Sequence, residues 1–356
     1  MQNDLSPIRF FDKAPSGSSP LIDRFDRHMN YLRISVTDRC NLKCTYCRPG
    51  DDSFCPLAHA EVLSFEEIVR IVRIAAGLGV NKVRLTGGEP LVRRGITTLI
   101  QMLKEIPGID DLALSTNAVL LGKHAQSLAD AGLSRINISL DTIQPERFKT
   151  LTGGGKLETA LNGIRAAVEA GFSPIKVNAV VMRGVNEDEI ADLIDFAAET
   201  GVQMRFIEFM PLCDGNSWSE SHVPVEEMLS MPGVKERLVD ISSANDGHAA
   251  ARYIPLSDRY ADRGLSAKGV GEVGFISPMS NRFCDGCNRL RLTADGKIRP
   301  CLPADDEIDL RSVLRTGCSD AELEQCLRDA VLMKPEVGIY NFETNGRKRS
   351  MVQIGG

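Results

Sequence analysis

The feature that most constrains this chain is a cysteine run placed directly after an apolar strand, within the stretch from Tyr31 to Cys47. Cys40, Cys44 and Cys47 stand at C-x3-C-x2-C. Thiolates this close together bind soft metals, and iron–sulfur clusters are held by such runs. Three thiolates leave one iron of a four-iron cluster open, and an open position separates a working metal centre from a structural one. A zinc site short of its fourth ligand is the plainer alternative. The preceding strand and the aromatic Tyr46 before the last cysteine weigh against it.

A second triplet follows late in the chain. Cys284, Cys287 and Cys301 stand at C-x2-C-x13-C, with Asn288, Arg289, Leu290 and Arg291 just after the pair. Two triplets in one chain favour a second cluster with an open iron over a zinc knob. The remaining cysteines, Cys55, Cys213, Cys318 and Cys326, read as free thiols. Clustered cysteines that hold metal belong to a reducing compartment, so the expected location is cytoplasmic. No signal-peptide pattern or membrane-length apolar run is expected to place the chain elsewhere. A net charge of −6 excludes a general nucleic-acid-binding surface.

Between the triplets, strand-like and helix-like segments alternate. Strands are expected over 32–36, 82–86, 112–115, 135–140, 175–181 and 203–209. Helices are expected over 65–78, 96–106, 123–131, 157–170 and 188–199. Ser64 followed by Glu67 forms a capping box for the first helix. Six βα-type repeats imply a parallel sheet, best read as an open (β/α)6 partial TIM barrel; a doubly wound sheet is the runner-up. Residues 1–25, rich in Pro, Ser and Gly, read as a disordered extension. Residues 26–241 make the barrel domain. Residues 242–356 make a smaller C-terminal domain, begun by short strands and loops, that carries the second triplet and the Gly-Gly tail; the fold class as a whole is α/β.

Parallel strands are covered on both faces and should be nearly continuous in apolar residues. Four are broken by a cation: Arg33, Arg84, Lys176 and Arg205. A buried cation needs a partner. Carboxylates such as Asp141 and Glu208 could serve, or the four together could line a cationic lumen for a polyanion. Chemistry in barrels of this kind sits at the C-terminal strand ends. There the chain carries Gly87-Gly88-Glu89-Pro90, Ser115-Thr116-Asn117, Ser139-Leu140-Asp141 and Glu208-Phe209-Met210. The glycine pair allows close backbone approach to a ligand, and Glu89 can accept from an ammonium group.

The cysteine triplet followed by Gly-Gly-Glu-Pro resembles the cluster and cofactor-gripping motifs of the radical S-adenosylmethionine (SAM) enzymes. With the second triplet, its Arg-Leu-Arg and the terminal Gly355-Gly356, the chain from about Phe25 onward resembles the GTP 3′,8-cyclase family, which acts in molybdenum cofactor biosynthesis. The resemblance implies two 4Fe-4S clusters, SAM on the first, and GTP near the second. It implies SAM contacts from Tyr46, Gly88, Glu89, Ser139 and Met210. It implies GTP contacts from Arg33, Arg84, Ser115, Lys176, Arg205, Arg289, Leu290 and Arg291. Arg33, Gly355 and Gly356 are the residues expected to take part in catalysis. A reductase or a flavodoxin-type protein would be the electron donor, and the chain is compatible with a homodimer. The family usually shows Thr-Thr-Asn-Gly where this chain has Ser115 to Ala118, so Ala118 takes an angle that Gly tolerates more easily. Arg48 stands where the family commonly has Met. A radical SAM enzyme acting on a peptide is the alternative activity; the cation-lined strands and the Gly-Gly end argue against it.

Overall fold

A computed structural model describes residues 19–48, 54–212, 218–239, 251–263, 271–340 and 349–355. Strands and helices alternate through the first two thirds. In order they are β1 (Tyr31–Ser35), α1 (Phe65–Gly77), β2 (Lys82–Thr86), α2 (Ile96–Lys104), β3 (Asp111–Thr116), α3 (Leu121–Asp130) and β4 (Arg135–Ser139). Then come α4 (Pro145–Leu151), α5 (Leu157–Glu169), β5 (Ile175–Val181), α6 (Ile190–Thr200) and β6 (Gln203–Glu208). The first helix starts where its capping box places it, Glu67 N donating to Ser64 Oγ at 3.1 Å and Ser64 N to Glu67 Oε2 at 2.7 Å. Helix α4, opened by Pro145 at its first turn, is an addition that the apolar periodicity does not announce.

The C-terminal third contains α7 (Trp218–Ser221), α8 (Val225–Ser230), β7 (Arg252–Pro255), β8 (Glu272–Ile276), β9 (Arg289–Leu292), β10 (Lys297–Arg299) and β11 (Ile308–Asp309). It closes with α9 (Leu310–Arg315), α10 (Asp320–Leu332) and α11 (Met351–Ile354). Among the described residues all strands join one sheet, in the order β11-β10-β9-β1-β2-β3-β4-β5-β6-β8-β7. Strands β1 to β6 are parallel and neighbour one another in chain order. A doubly wound sheet would reverse its order part-way, so the open (β/α)6 arrangement is the one adopted. The second-triplet region does not stand apart from it. β9 pairs in parallel with β1, and β8 in parallel with β6, so the C-terminal third extends the sheet at both edges. The expected boundary near Ser242 lies outside the described residues.

The strand alternation separates two environments. Leu32 and Ile34 of β1, Val83 and Leu85 of β2, and Leu290 and Leu292 of β9 are buried in the apolar core. Tyr31, Arg33, Arg84, Arg289 and Arg291 occupy the other set of positions. The expected disorder of residues 1–25 is corrected for the described part. Leu21 is buried, with its N–H on Leu78 O at 3.0 Å and its carbonyl accepting from Met29 N at 2.8 Å. Asp23 and Arg27 form a buried ion pair. An apolar side chain and a satisfied ion pair give this segment the contacts that its Pro- and Ser-rich composition does not suggest.

Ala118 is fully buried at φ 63°, the left-handed angle expected of this position. A β-carbon on Gly163 of α5 would lie 2.1 Å from Ala118 O, so helix and turn are in backbone contact. Ala118→Gly should relieve left-handed strain and raise stability by up to about 1 kcal/mol. Gly163→Ala should cost about 1–3 kcal/mol by forcing the two backbones apart. Denaturant unfolding of the two variants checks both signs, and a stabilising Gly163→Ala would contradict the contact.

Candidate active site

The first triplet lies in the loop after β1, at the C-terminal mouth of the barrel. Leu42 N donates to Cys40 Sγ at 3.4 Å, and Asn117 Nδ2 approaches the same sulfur at 3.8 Å. Burial pushes the Cys44 thiol up to about 12, with Asp141 and then Cys40 adding to the rise. Such thiols become ligands only when metal displaces their protons. Among the described residues no three Cys, His, Asp or Glu side chains close on a space the size of a single ion. A four-iron cube is larger and holds its thiolates farther apart, and three thiols per site would bind three of its irons and leave the fourth open. The residues fit that group.

Around this loop the expected cofactor residues assemble. Cys44, Tyr46, Asn117, Ser139 and Asp141 line one cavity. Tyr46 Oη donates to Asp141 Oδ2 at 2.7 Å, and Val180 N donates to Asp141 Oδ1 at 2.9 Å. Met210 follows β6, and its sulfur accepts from Tyr340 Oη at 3.4 Å. The glycine pair also packs closely against the protein itself. A β-carbon on Gly88 would lie 2.3 Å from Arg39 O, and Gly88 N donates to Thr37 O at 2.7 Å. The close approach is therefore to the backbone that leads into the cysteines. Glu89 is buried, with Oε1 accepting from Leu91 N at 3.1 Å and Thr116 Oγ1 at 2.8 Å and Oε2 from Asn117 N at 2.8 Å. Burial raises its carboxyl to about 7 against those three donors.

Inside the barrel the cations converge. The sheet register sets Arg33 between Arg84 and Arg291, and Tyr31 beside Arg289. Asp141 and Glu208 do not neutralise them. Glu208 instead accepts from Val225 N, Met279 N and Ser280 N, each at 2.9 Å. Arg84 lies over the Tyr31 ring at 5.4 Å, and Asn137, with its amide oxygen turned toward it, accepts from Arg84 Nη2 at 3.0 Å. Lys176 donates to Tyr253 Oη at 3.2 Å, and Arg205 to Asn178 Oδ1 at 2.8 Å. Among the described residues Arg84, Lys176, Arg205, Arg289 and Arg291 have no carboxylate partner, and their contacts are to neutral groups. Burial lowers the Arg84 guanidinium to about 10, although the Tyr31 phenol pulls it back up. Burial, then Arg289, lowers Arg291 to about 10. Ser115 lies on β3 opposite Asn137 of β4. Leu290 is the exception among the expected substrate residues. Strand alternation turns its side chain into the core, away from the face of Arg289 and Arg291.

The chain end reaches the same place. Arg291 Nη1 donates to Gly355 O at 2.9 Å, and Gly355 is buried at φ 80°. A β-carbon there would lie 2.6 Å from Thr86 Oγ1 and 2.8 Å from Ser35 Cβ. Only glycine fits this angle and this gap between the ends of β1 and β2. Gly356 lies outside the described residues, as does Arg347. Arg349 is not an exposed basic residue: it bonds Asp295 Oδ2 at 2.8 Å and Glu307 Oε2 at 2.9 Å, which anchors α11 and the residues after it.

A Radical SAM superfamily model matches residues 34–197, and a Molybdenum Cofactor Synthesis C model matches residues 202–338. A curated GTP 3′,8-cyclase of Moorella thermoacetica is 45% identical over 343 residues, covering 94% of this chain and 99% of the relative. That of Heliobacterium modesticaldum is 45% identical, covering 94% and 100%. The chain belongs to the GTP 3′,8-cyclase family. Among solved structures, that of Streptococcus suis SuiB bound to S-adenosylmethionine superposes with a TM-score of 0.56 at 19% identity, over 87% of this chain and 67% of that one; it shows the radical SAM fold.

Within this GTP 3′,8-cyclase site the sequence reading missed two aromatic residues. Tyr31 sits among Arg84, Arg33, Arg289 and Arg205, and among the described residues its buried hydroxyl has no hydrogen-bond partner. Tyr253 of β7 lies against both Lys176 and Arg205. Tyr31 could have been found by its i, i+2 spacing to Arg33. Tyr253 carries no such signal, because β7 reaches the lumen only through the added sheet edge. Around the second triplet, Gly338 N donates to Cys284 Sγ at 3.4 Å, and Cys301 lies within electrostatic reach of Cys287 and Cys284. Cys55 is exposed, Cys318 and Cys326 pack at the core margin, and Cys213 lies outside the described residues.

Glu89 generates a pH prediction. Its folded pKa of about 7 lies above the ordinary 4.5, so its stabilising share is complete below pH 4.5 and is lost as pH rises through 7. Without SAM, Glu89→Gln should flatten the stability profile between those limits, removing a fall of up to about 1.4 kcal/mol per pH unit. Unfolding measured across pH 4.5–8 checks this, and an unchanged slope would mean that Glu89 is ionised throughout.

Proposed function

We infer that this chain converts GTP to (8S)-3′,8-cyclo-7,8-dihydroguanosine 5′-triphosphate, an early step of molybdenum cofactor biosynthesis. Its cofactors are SAM and two 4Fe-4S clusters. The observation that carries the reading is the barrel face on which five cations, drawn from strands distant in sequence, have neutral partners only. Such a face leaves charge for a triphosphate to neutralise. The name shared by its relatives disfavours the alternative of a peptide substrate.

Cys40, Cys44 and Cys47 would hold the first cluster, and Cys284, Cys287 and Cys301 the second. When bound, the first cluster and SAM would supply the one-electron chemistry that removes hydrogen from ribose C3′, and joining C3′ to guanine C8 would then take one further electron and one proton to reach the dihydro product. The chain's own residues bind, orient and exclude water. Tyr46, Gly88, Ser139 and Met210 would face SAM, as would Glu89 through Oε2, which carries a single hydrogen bond. Arg84, Lys176 and Arg205 would grip the phosphates, and Ser115 would add a hydroxyl contact. Arg289 and Arg291 would place the nucleotide beside the second triplet, and Leu290 could contribute only backbone. Arg33 lies between both groups and would act in binding and in control of the radical. A reductase or flavodoxin-type donor would supply electrons in the cytoplasm. Among the described residues no helix is long and apolar enough to cross a membrane. A homodimer is compatible with this arrangement.

Arg84→Ala should weaken GTP binding roughly ten- to a hundred-fold, the loss of one charge-assisted contact, and leave SAM binding nearly unchanged. Calorimetric titration of each ligand separates the two; equal losses would mark a folding defect. Deleting Gly355 and Gly356 should leave both clusters intact and abolish cyclisation. The tail is held upstream by Arg349, and its last residues add little to the core. Anaerobic single-turnover product analysis checks this, and wild-type product would make the chain end dispensable.

A further inference from the structure

Lys334 follows α10 and is 2% exposed. Its ammonium donates to Arg289 O at 2.8 Å and to Pro300 O at 2.6 Å. Those carbonyls belong to the residue two after Cys287 and to the residue just before Cys301. The Lys334 charge lies within electrostatic reach of Cys287 and Cys301. Among the described residues Lys334 has no ion pair with a carboxylate. A cation this deeply buried is costly without a negative neighbour, and the groups able to become negative beside it are the thiols of the second triplet. The position is held from a second side. Arg27 donates to Cys284 O at 2.7 Å, Glu336 O at 2.8 Å and Pro335 O at 2.6 Å, stapling the segment after Lys334 to the first cysteine of the triplet.

We propose that Lys334 is the built-in counter-charge of the second triplet: a fixed buried cation that steadies the thiolates of Cys287 and Cys301 and sets the reduction potential of the cluster they hold. The inference rests on the reading that this triplet binds a cluster. Reduction adds negative charge to a cluster, and a nearby cation stabilises the reduced form, so net charge and hydrogen bonds to sulfur tune its potential. Lys334 is a positioning residue here, acting through its charge and through the two carbonyls that flank the cysteines.

The test compares anaerobically reconstituted wild-type protein with Lys334→Gln, which keeps a donor for a carbonyl without the charge, and Lys334→Arg, which keeps the charge. Iron and sulfide are counted first. Redox titration then follows the paramagnetic signal that persists in a Cys40→Ala background, and a chelator challenge follows iron loss. About eight irons per wild-type chain are expected for two four-iron clusters. Lys334→Gln should shift the second cluster to a more negative potential and release its iron faster, with Lys334→Arg close to wild type. If Lys334→Gln loses the second cluster outright, retention in Lys334→Arg supports the charge role and loss in both variants overturns it. An unshifted potential in Lys334→Gln with both clusters present also overturns it, leaving Lys334 as a loop staple. Wild-type protein that holds only about four irons would remove the second cluster itself, and the proposal with it.

Discussion

The structure depends on a set of cations inside the barrel, Arg84, Lys176, Arg205, Arg289 and Arg291, that among the described residues have no carboxylate partner. Burial, with nearby cations that include Arg289, lowers the ionisation of the Arg33, Arg84 and Arg291 guanidinium groups together. A protein can hold such charges inside only if each guanidinium finds acceptors and the surrounding frame is rigid. Here the acceptors are a phenol, side-chain amides and the Gly355 carbonyl. None of these cancels charge. The barrel therefore remains strongly positive on its inner face while the molecule as a whole carries −6, and that contrast selects a polyanionic ligand.

The carboxylates that might have quenched the lumen are committed elsewhere. Glu89 after β2, Asp141 after β4, Glu189 before α6 and Glu208 at the end of β6 each accept a backbone amide from a neighbouring segment. Each is buried. These braces hold the strand-end loops in register around the first cysteine triplet. They also point their charge into loop amides and away from the cationic face. The same residue type thus fixes the mouth of the barrel without cancelling the charge inside it.

The C-terminal third completes the site by pairing with the sheet. Its β9 lies along β1 and brings Arg289 and Arg291 beside Tyr31 and Arg33. At the other edge, β8 and β7 deliver Tyr253 to Lys176 and Arg205. The Arg349 ion pairs with Asp295 and Glu307 then direct the chain end between β1 and β2. A half-open barrel is left with two exposed edges, and covering them here also completes the cationic face.

Much of this was legible in the chain. The two cysteine spacings, the six-fold alternation of strand and helix, and the capping box at Ser64 each follow from local chemistry, which needs no distant partner. The cations Arg33, Arg84, Lys176 and Arg205 stood out because a buried parallel strand has no place for an unexplained charge. Local pattern also made Ala118 a strained position. The reading failed where long-range packing decides. Leu290 was carried along with its arginine neighbours, yet strand alternation sends it to the core. Leu21 and Asp23 looked like part of a disordered extension until Leu78 and Arg27 supplied partners. The pairing of β9 with β1, the arrival of Tyr253 and the burial of Lys334 join residues far apart in the chain. Composition and periodicity describe what each segment prefers; only the closed arrangement of segments determines which charges meet and which remain for a ligand.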